Sequence, residues 1–367
     1  MSNDRDKSVS LQLDNSKSVQ LDESARLQLN KSILLANSKG EARAYSPEEL
    51  MTLRINRWKG WSCAAGFDHI QVSPDGNVKA AACAVKTDYI GNVYDGDLNF
   101  PKRWLTCSIE YCMCGTDMRL RKAKRPDQQE AIEARVANHD LPRDLTNPAE
   151  AEWVGSAQWG KFLTHPKSVS WDISKRCNFQ CSYCHPTISN QTDRLRSREE
   201  LFNAVFRIMR GFARGQRINW IIAGGEPTLH SSYMELCELL QKKQHIVHTQ
   251  TNGSRLPAYY GELVRWSNIG ISVHLEFADP AKIVEVARAV TEQKERDTQS
   301  SLNWFGVRIM VAPGKFAQAL ELSQTLERLP LFAKHGLVFM STLYEREERD
   351  RLMQYEPDEF REILSRS

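Results

Sequence analysis

The sequence lacks an apolar run long enough to span a membrane, and its first residues contain no hydrophobic segment typical of a secretory signal peptide. It also lacks an excess of either charge, since 49 basic and 46 acidic residues leave a formal net charge of +3. So small a net charge does not argue for a nucleic acid or an acidic membrane as the partner. We therefore expect a soluble cytoplasmic protein whose 367 residues have room for two domains.

Cysteine is abundant, with nine residues in the chain. Because export is not expected, these cysteines argue against a disulfide framework and for metal or redox chemistry in a reducing compartment. All except Cys237 fall into two groups along the sequence. Cys237 lies alone within a predicted helix, and we expect it to pack in the core.

Two segments carry weaker signals. Residues 1–50 are polar, and we expect them to form a flexible or loosely docked segment. Residues 119–165 are expected to connect two larger units, and the basic run at their start is typical of a solvated face.

The first cysteine group surrounds a predicted β-hairpin. An alternating stretch at 69–72, a Ser-Pro-Asp-Gly turn and a second short strand separate Cys63 from Cys83, so both sulfurs can converge on one site. Three further cysteines follow at Cys107, Cys112 and Cys114. Five cysteines suffice for one four-iron cluster with one thiol to spare, but four cysteines suit tetrahedral zinc equally well. Which two of the last three bind stays open.

From about residue 168, predicted strands and helices alternate, which indicates a mainly parallel sheet of βα units. Ser197 and Glu200 form a predicted capping box at the first helix, and Asp279 before Pro280 is a predicted N-cap. Six βα units without room for eight predict a partial, open (β/α)6 barrel. The first predicted strand ends at Ser174. The other five cover residues 218–223, 246–251, 269–275, 305–311 and 337–341.

The second cysteine group directly follows the first of these strands. Cys177, Cys181 and Cys184 have the spacing Cys-x-x-x-Cys-x-x-Cys. Three thiolates on one loop can bind three irons of a cubane cluster and leave the fourth iron open, as a catalytic metal site requires.

Other polar motifs occur at the ends of later strands, where active-site groups of such barrels lie. Gly224-Gly225-Glu226-Pro227 follows the second strand, with glycines that allow close approach and an acid that can accept from an ammonium group. Thr251-Asn252 follows the third strand, His274 ends the fourth, and Arg308 lies within the fifth.

Together these motifs resemble the radical S-adenosylmethionine (radical SAM) superfamily. The resemblance implies a [4Fe-4S] cluster on the three-cysteine loop, with SAM bound to the open iron. It implies that the Gly-Gly-Glu-Pro element binds the methionine amine of SAM and that Tyr183 packs near the adenine. Arg308 is expected to pair with the SAM carboxylate or to form an ordinary ion pair, and Thr251, Asn252 and His274 complete the expected cofactor contacts.

The first cysteine group resembles the auxiliary iron-sulfur module called SPASM or twitch, with Gly76 as its turn glycine. It differs in preceding the barrel rather than following it, and in its cysteine spacing. We expect a polar segment over residues 1–50, an auxiliary-cluster domain over 51–118 and a connector over 119–165. The radical SAM partial barrel is expected over 166–345 and a charged helical tail over 346–367.

The resemblance implies reductive cleavage of SAM to a 5′-deoxyadenosyl radical that abstracts a hydrogen atom from the substrate. An auxiliary [4Fe-4S] cluster would favour oxidative modification or cross-linking of a peptide. The alternatives are oxidation of a sugar, alcohol or amino acid, and a non-catalytic iron-sulfur or zinc protein. A flavodoxin or ferredoxin is the expected electron donor, and neither a membrane nor a nucleic acid is expected as a partner.

Overall fold

The computed structural model describes residues 33–83, 89–137, 143–156, 167–184, 189–212, 216–297, 304–312, 314–329 and 334–339, together with Glu359. The predictions for residues 1–32 and for a helical tail therefore concern residues outside this set, apart from Glu359. None of the helices described here combines the length and apolar character needed to cross a membrane.

Short strands dominate the first half of the described chain and longer ones the second half. The strands are β1 (Ile33–Ala36), β2 (Glu41–Tyr45), β3 (Ser62–Cys63), β4 (His69–Val72), β5 (Asn77–Lys79), β6 (Tyr89–Asn92), β7 (Leu105–Thr106), β8 (Lys122–Ala123), β9 (Arg143–Asp144), β10 (Trp153–Ser156), β11 (Lys167–Asp172), β12 (Ile218–Ala223), β13 (Ile246–Thr251), β14 (Asn268–His274), β15 (Phe305–Val311) and β16 (Lys334–Phe339).

The longer helices lie between the later strands. The helices are α1 (Pro47–Thr52), α2 (Gly115–Met118), α3 (Gln129–Ala137), α4 (Arg198–Gly211), α5 (Tyr233–Lys242), α6 (Pro257–Leu263), α7 (Pro280–Arg296) and α8 (Phe316–Glu327). The predicted caps are confirmed. Ser197 Oγ accepts from the backbone N–H of Glu200 at 3.1 Å while the Glu200 carboxylate accepts from Ser197 N at 2.7 Å, and Asp279 caps α7.

A nine-stranded sheet contains the predicted parallel strands, in the order β16-β15-β14-β13-β12-β11-β4-β5-β6. Strands β11 to β16 are parallel to one another, so the predicted six-unit architecture is confirmed. Along each strand, alternate residues face the helices, and this face buries the large apolar side chains of Trp171, Trp220 and Ile271. The opposite face and the carboxyl ends of the strands are left for a site.

The predicted hairpin is an extension of this same sheet. Strand β4 pairs in parallel with β11, with Val169 opposite Ile70, and β5 and β6 continue as antiparallel strands. Gly76 in the turn has a φ of +89°, and a Cβ there would lie 2.2 Å from the ring of Tyr94, so the turn requires glycine. The segment before the barrel is therefore built onto the barrel sheet.

A second sheet has the order β7-β3-β8-β10-β1-β2-β9 and corrects two expectations. Residues 33–50 are not a loose segment, because β1 pairs with both β10 and β2 and buries Ile33 and Leu35 completely or nearly so. The described part of 119–165 does more than connect, since β8 and β10 are inner strands of this sheet. Short apolar pairs such as Ile33 and Leu35 are weak signals in a polar stretch, and they become a core only when distant strands cover them.

A buried carboxylate joins the two sheets. Asp68, whose side chain is fully inaccessible, accepts from Arg121 Nε at 2.7 Å and Nη2 at 2.8 Å, and from Lys167 Nζ at 3.0 Å. Arg121 also contacts Glu133 at 3.0 Å. Arg121 immediately precedes β8 of the second sheet, and Lys167 is the first residue of β11 in the nine-stranded sheet. The network therefore links one sheet to the other. The basic run is therefore not a wholly solvated face.

We expect Asp68→Asn to lower the free energy of unfolding by about 3–5 kcal/mol, because the change leaves two buried cations without their shared anion. Urea denaturation followed by circular dichroism measures the loss. Glu150→Gln, which removes an exposed partner of Lys39, is the control and should leave stability almost unchanged. Equal effects of the two substitutions would contradict a buried link between the sheets.

Candidate functional site

The three predicted cluster cysteines lie on the loop after β11 and are partly buried. Burial raises the pKa of Cys181 to about 12, and the charges of Cys177 and Cys184 act in the same direction. The three thiols are therefore within electrostatic reach of one another and would need bound cations to ionise together. Three thiols on one loop are the donor set of a cubane in which each thiolate binds its own iron and one iron stays open.

Residues at the end of β14 hold this loop in place. Ser182 donates to the Glu276 carboxylate through its backbone N–H at 2.7 Å and through its hydroxyl. The Tyr183 hydroxyl and His274 Nδ1 lie 2.8 Å apart, and the two rings stack with centroids 5.7 Å apart. Burial lowers the pKa of His274 to about 4, so its imidazole is neutral at physiological pH. Contacts of Tyr183 and His274 with SAM stay predictions, and the structure shows the two side chains supporting each other.

The two glycines after β12 are needed for close packing against the cluster loop. Gly224 has a φ of +130°, and a Cβ on either glycine would lie 2.4 Å from a carbonyl oxygen, Ser174 O for Gly224 and Arg176 O for Gly225. Backbone hydrogen bonds of 2.8 Å run from Gly225 N to Ser174 O and from Glu226 N to Arg176 O. Pro227 then begins a buried 3₁₀ turn. This element fixes where the cluster loop leaves the sheet.

The Glu226 side chain is buried, and its carboxylate accepts hydrogen bonds from protein groups. Its side chain is 1% exposed, and its carboxylate accepts from Thr228 N at 3.0 Å, Thr251 Oγ1 at 2.8 Å and Asn252 N at 2.6 Å, as well as from the Thr228 hydroxyl. Burial raises the pKa of Glu226, and these hydrogen bonds oppose that rise. Protein donors thus contact both oxygens of this carboxylate. Its expected contact with the SAM ammonium group stays a prediction.

Asn252 connects this carboxylate to the cluster loop. Its side-chain Nδ2 donates to Asn178 Oδ1 at 3.0 Å and lies 3.7 Å from Cys177 Sγ. The side chain is 5% exposed, so it contacts the thiol from the protein side. Such contacts to metal-ligand sulfurs orient the ligand and tune the bound metal.

The inner face of the parallel sheet carries polar side chains that have no partner among the residues described. Asp172 on β11 and Gln250 on β13 lie on this face, and the Gln250 amide crosses over Gly270, where a Cβ would meet its Oε1 at 2.6 Å. Ser272 and Arg308 are paired in register on the next two strands. Arg308 is exposed and forms no described ion pair, which leaves it available for an anionic group.

Asp172 and Gln250 were not singled out from the sequence. The signal was present in the alternation of β11, where Trp171 and Ile173 are buried and Asp172 must face the other way. Burial alone raises the pKa of Asp172 to about 6.

The five upstream cysteines differ in burial and in their neighbours. Cys63 and Cys112 are buried, and Cys83 and Cys107 are partly buried. Burial raises the pKa of Cys112 to about 12, and the charges of Cys63 and Cys107 contribute to the rise. Burial likewise raises the pKa of Cys83, with contributions from Cys112 and Cys63. Cys114 is the N-cap residue of α2 and is partly buried.

Parts of this chain are similar to known proteins. Residues 171–305 match the family model described as the Radical SAM superfamily. Curated relatives include the GTP 3′,8-cyclase of Vibrio vulnificus, 30% identical over 113 residues that cover 29% of this chain and 33% of the relative. The enzyme of the same name from Sinorhizobium medicae is 31% identical over 154 residues, which cover 40% of this chain and 42% of the relative. The chain thus spans about a third of the length of the first relatives it matches.

Two solved structures resemble this fold more distantly. Streptococcus suis SuiB bound to precursor peptide SuiA has 14% identity and a TM-score of 0.41, over 65% of this chain and 57% of that one. TYW1 with a lysine-pyruvate adduct has 13% identity and a TM-score of 0.31, over 52% of this chain and 68% of that one.

We expect Asp172→Asn to stabilise the protein in a pH-dependent way. A folded-state pKa of about 6, above the usual 3.8, means that the charged carboxylate is disfavoured in the fold. The stabilising effect of Asn over Asp should be absent below pH 3.8, grow as the pH rises to 6, and be complete above that value. Thermal unfolding across this range measures it, and Asp97→Asn at an exposed position is the control. A gain that does not change with pH would contradict the assignment.

Proposed function

This chain carries a radical SAM domain in residues 171–305, and we propose that it cleaves SAM reductively and abstracts a hydrogen atom from a polar substrate held on the inner face of its parallel sheet. The observation that carries the proposal is the packing around the cluster loop. The ends of β11, β12, β13 and β14 all contact that loop or its supports, through backbone hydrogen bonds of Gly225, the Glu226 carboxylate, Asn252 and Glu276. Four strand ends thus converge on three thiols.

A [4Fe-4S] cluster, when bound, would supply the electron for reductive cleavage of SAM, and the 5′-deoxyadenosyl radical from that cleavage would take a hydrogen atom from the substrate. Residues of this chain would position these groups and enclose them. Cys177, Cys181 and Cys184 would hold three irons, and Asn252 contacts the sulfur of Cys177 from the buried side. The Gly224 to Pro227 element would bind the amino group of SAM. Arg308 is exposed and has no ion pair among the described residues, so its guanidinium would bind the SAM carboxylate.

The substrate side of the proposal has two candidates. Modification or cross-linking of a peptide is the first, and it rests on the auxiliary module that the upstream cysteines resemble. A small polar molecule is the second. It is favoured by Asp172 and Gln250, two polar side chains on the inner face that have no hydrogen-bond partner among the described residues. Asp172 lies opposite Ala223, and the Gln250 amide lies over Gly270. The curated relatives that this chain resembles are named for a nucleotide substrate, which agrees with the second candidate.

Hydrogen transfer can separate the two substrate classes. Extract from cells grown in deuterated medium is divided into peptide and small-metabolite fractions, and each is incubated with the reconstituted protein, SAM and dithionite. The fraction that transfers deuterium into 5′-deoxyadenosine contains the substrate, because the radical takes the transferred atom from it. Deuterium only from small metabolites would contradict peptide modification.

We also propose one auxiliary [4Fe-4S] cluster bound by Cys63, Cys83, Cys107 and Cys112. These four thiols act on one another electrostatically, and their donor set supplies the four thiolates that such a cluster needs. Strand β4 places the hairpin between Cys63 and Cys83 directly beside β11, which leads to the first cluster loop. A cluster here could take up the electron that remains after hydrogen abstraction. A flavodoxin or ferredoxin is the proposed electron donor.

The triple variant Cys177→Ala, Cys181→Ala and Cys184→Ala should form no 5′-deoxyadenosine, because it removes every protein ligand of the SAM-binding cluster. Anaerobic reconstitution with dithionite and SAM, followed by chromatography of the nucleosides, measures the product. Cys237→Ala changes a buried cysteine in α5 that the site does not use, and this control should keep the activity. If the unaltered protein formed no 5′-deoxyadenosine, even without substrate, the proposed function would be wrong and a non-catalytic metal protein would replace it.

Cysteine substitutions in that triple variant test the auxiliary ligands. The triple variant should retain about four iron and four sulfide per chain. Adding Cys112→Ser should lower this content sharply, whereas adding Cys114→Ser should leave it unchanged. Zinc without sulfide in the triple variant would show that the upstream site is a zinc site.

A further inference from the structure

A buried lysine lies beside the four upstream cysteines. Lys122 is on β8, and its side chain is 1% exposed. Its ammonium donates to the backbone oxygens of Asp117 at 2.6 Å and Leu120 at 3.1 Å, and it lies 4.7 Å from the centre of the Trp58 ring. In the ranges that the structure describes, no acidic side chain forms an ion pair with it. The positive charge is therefore held by neutral groups alone.

Burying such a charge is costly. An ammonium group taken out of water without an anion loses several kcal/mol, and carbonyl dipoles and an aromatic face recover only part of that loss. The neighbouring basic residue shows the alternative, since Arg121 is neutralised by Asp68 and Glu133. Lys122 thus lacks the partner that its neighbour has, which points to an anion that binds near it.

Strand β8 pairs with β3 so that Lys122 lies directly opposite Cys63. Trp58, whose ring Lys122 contacts, packs in the same buried cluster as Cys112. The nearest opposing group is Asp117, which is also buried and accepts from Cys83 N at 2.9 Å. Lys122 on β8 and Asp117 in α2 thus approach the cysteine group from two elements, the lysine opposite Cys63 and the carboxylate at the backbone N–H of Cys83.

We infer that Lys122 is the internal counter-cation of the auxiliary cluster and raises its reduction potential. Four thiolates around a [4Fe-4S] core carry a net negative charge that increases by one when the core accepts an electron. A fixed positive charge therefore stabilises the reduced state more than the oxidised state. The inference rests on the proposed auxiliary cluster. It gives Lys122 a positioning and tuning role, and it favours electron acceptance at this site.

The test compares Lys122→Met with the native residue in the variant that lacks Cys177, Cys181 and Cys184, so that only the upstream cluster reports. Both proteins are reconstituted with iron and sulfide and titrated by electron paramagnetic resonance. The midpoint potential should shift to more negative values in Lys122→Met. Lys124→Met, an exposed lysine two residues further along, should leave the potential unchanged. An unshifted or more positive potential in Lys122→Met, with iron and sulfide intact, would overturn the inference.

Thermal unfolding of the full chain gives a second readout that a merely structural lysine would not produce. Without iron, Lys122→Met should raise the melting temperature, because it removes an uncompensated buried charge. With the cluster bound, it should lower the melting temperature, because it removes the counter-cation. A loss in both states would show that Lys122 serves only to bind carbonyl groups. Absence of sulfide in the triple-cysteine variant would instead overturn the auxiliary cluster itself, so the two failures are distinct.

Discussion

The candidate site depends on one buried carboxylate. Glu226 accepts hydrogen bonds from the ends of two neighbouring strands, through Thr228 after β12 and through Thr251 and Asn252 at the end of β13. Its own backbone binds the cluster loop at Arg176. A carboxylate can do this where an apolar or amide side chain cannot, because all of its partners are donors. The loop that holds the three cysteines is therefore positioned by a buried side chain that joins the ends of two strands.

The segment before the barrel is part of the same construction. Strand β4 adds a parallel neighbour to β11, while β3 and β8 place Cys63 and Lys122 in the other sheet. Asp68 then joins both sheets through Arg121 and Lys167. The two cysteine groups are thus held in one hydrogen-bonded framework. A module attached by a flexible connector would not fix their relative positions.

Prediction from the sequence succeeded for elements and for residue types, and it was less complete for orientation. The parallel strands, the caps of α4 and α7 and the cysteine loop follow local patterns, so they could be predicted. The strands at residues 33–45 were missed because β1 is covered by β10, more than a hundred residues away. Asp172 was missed because an isolated acid in a strand has no meaning until its face is known. Glu226 was found, but its side chain points inward.

The sequence by itself determined the chemistry that this chain can support. The spacing of Cys177, Cys181 and Cys184, and the Gly-Gly-Glu-Pro element, depend on residues close together in the chain, whose geometry is local. Only the tertiary structure decided that Lys122 is buried opposite Cys63 and that Glu226 is enclosed. The physical reason is that burial and electrostatic contact depend on segments far apart in sequence, and no local pattern records which of them will meet.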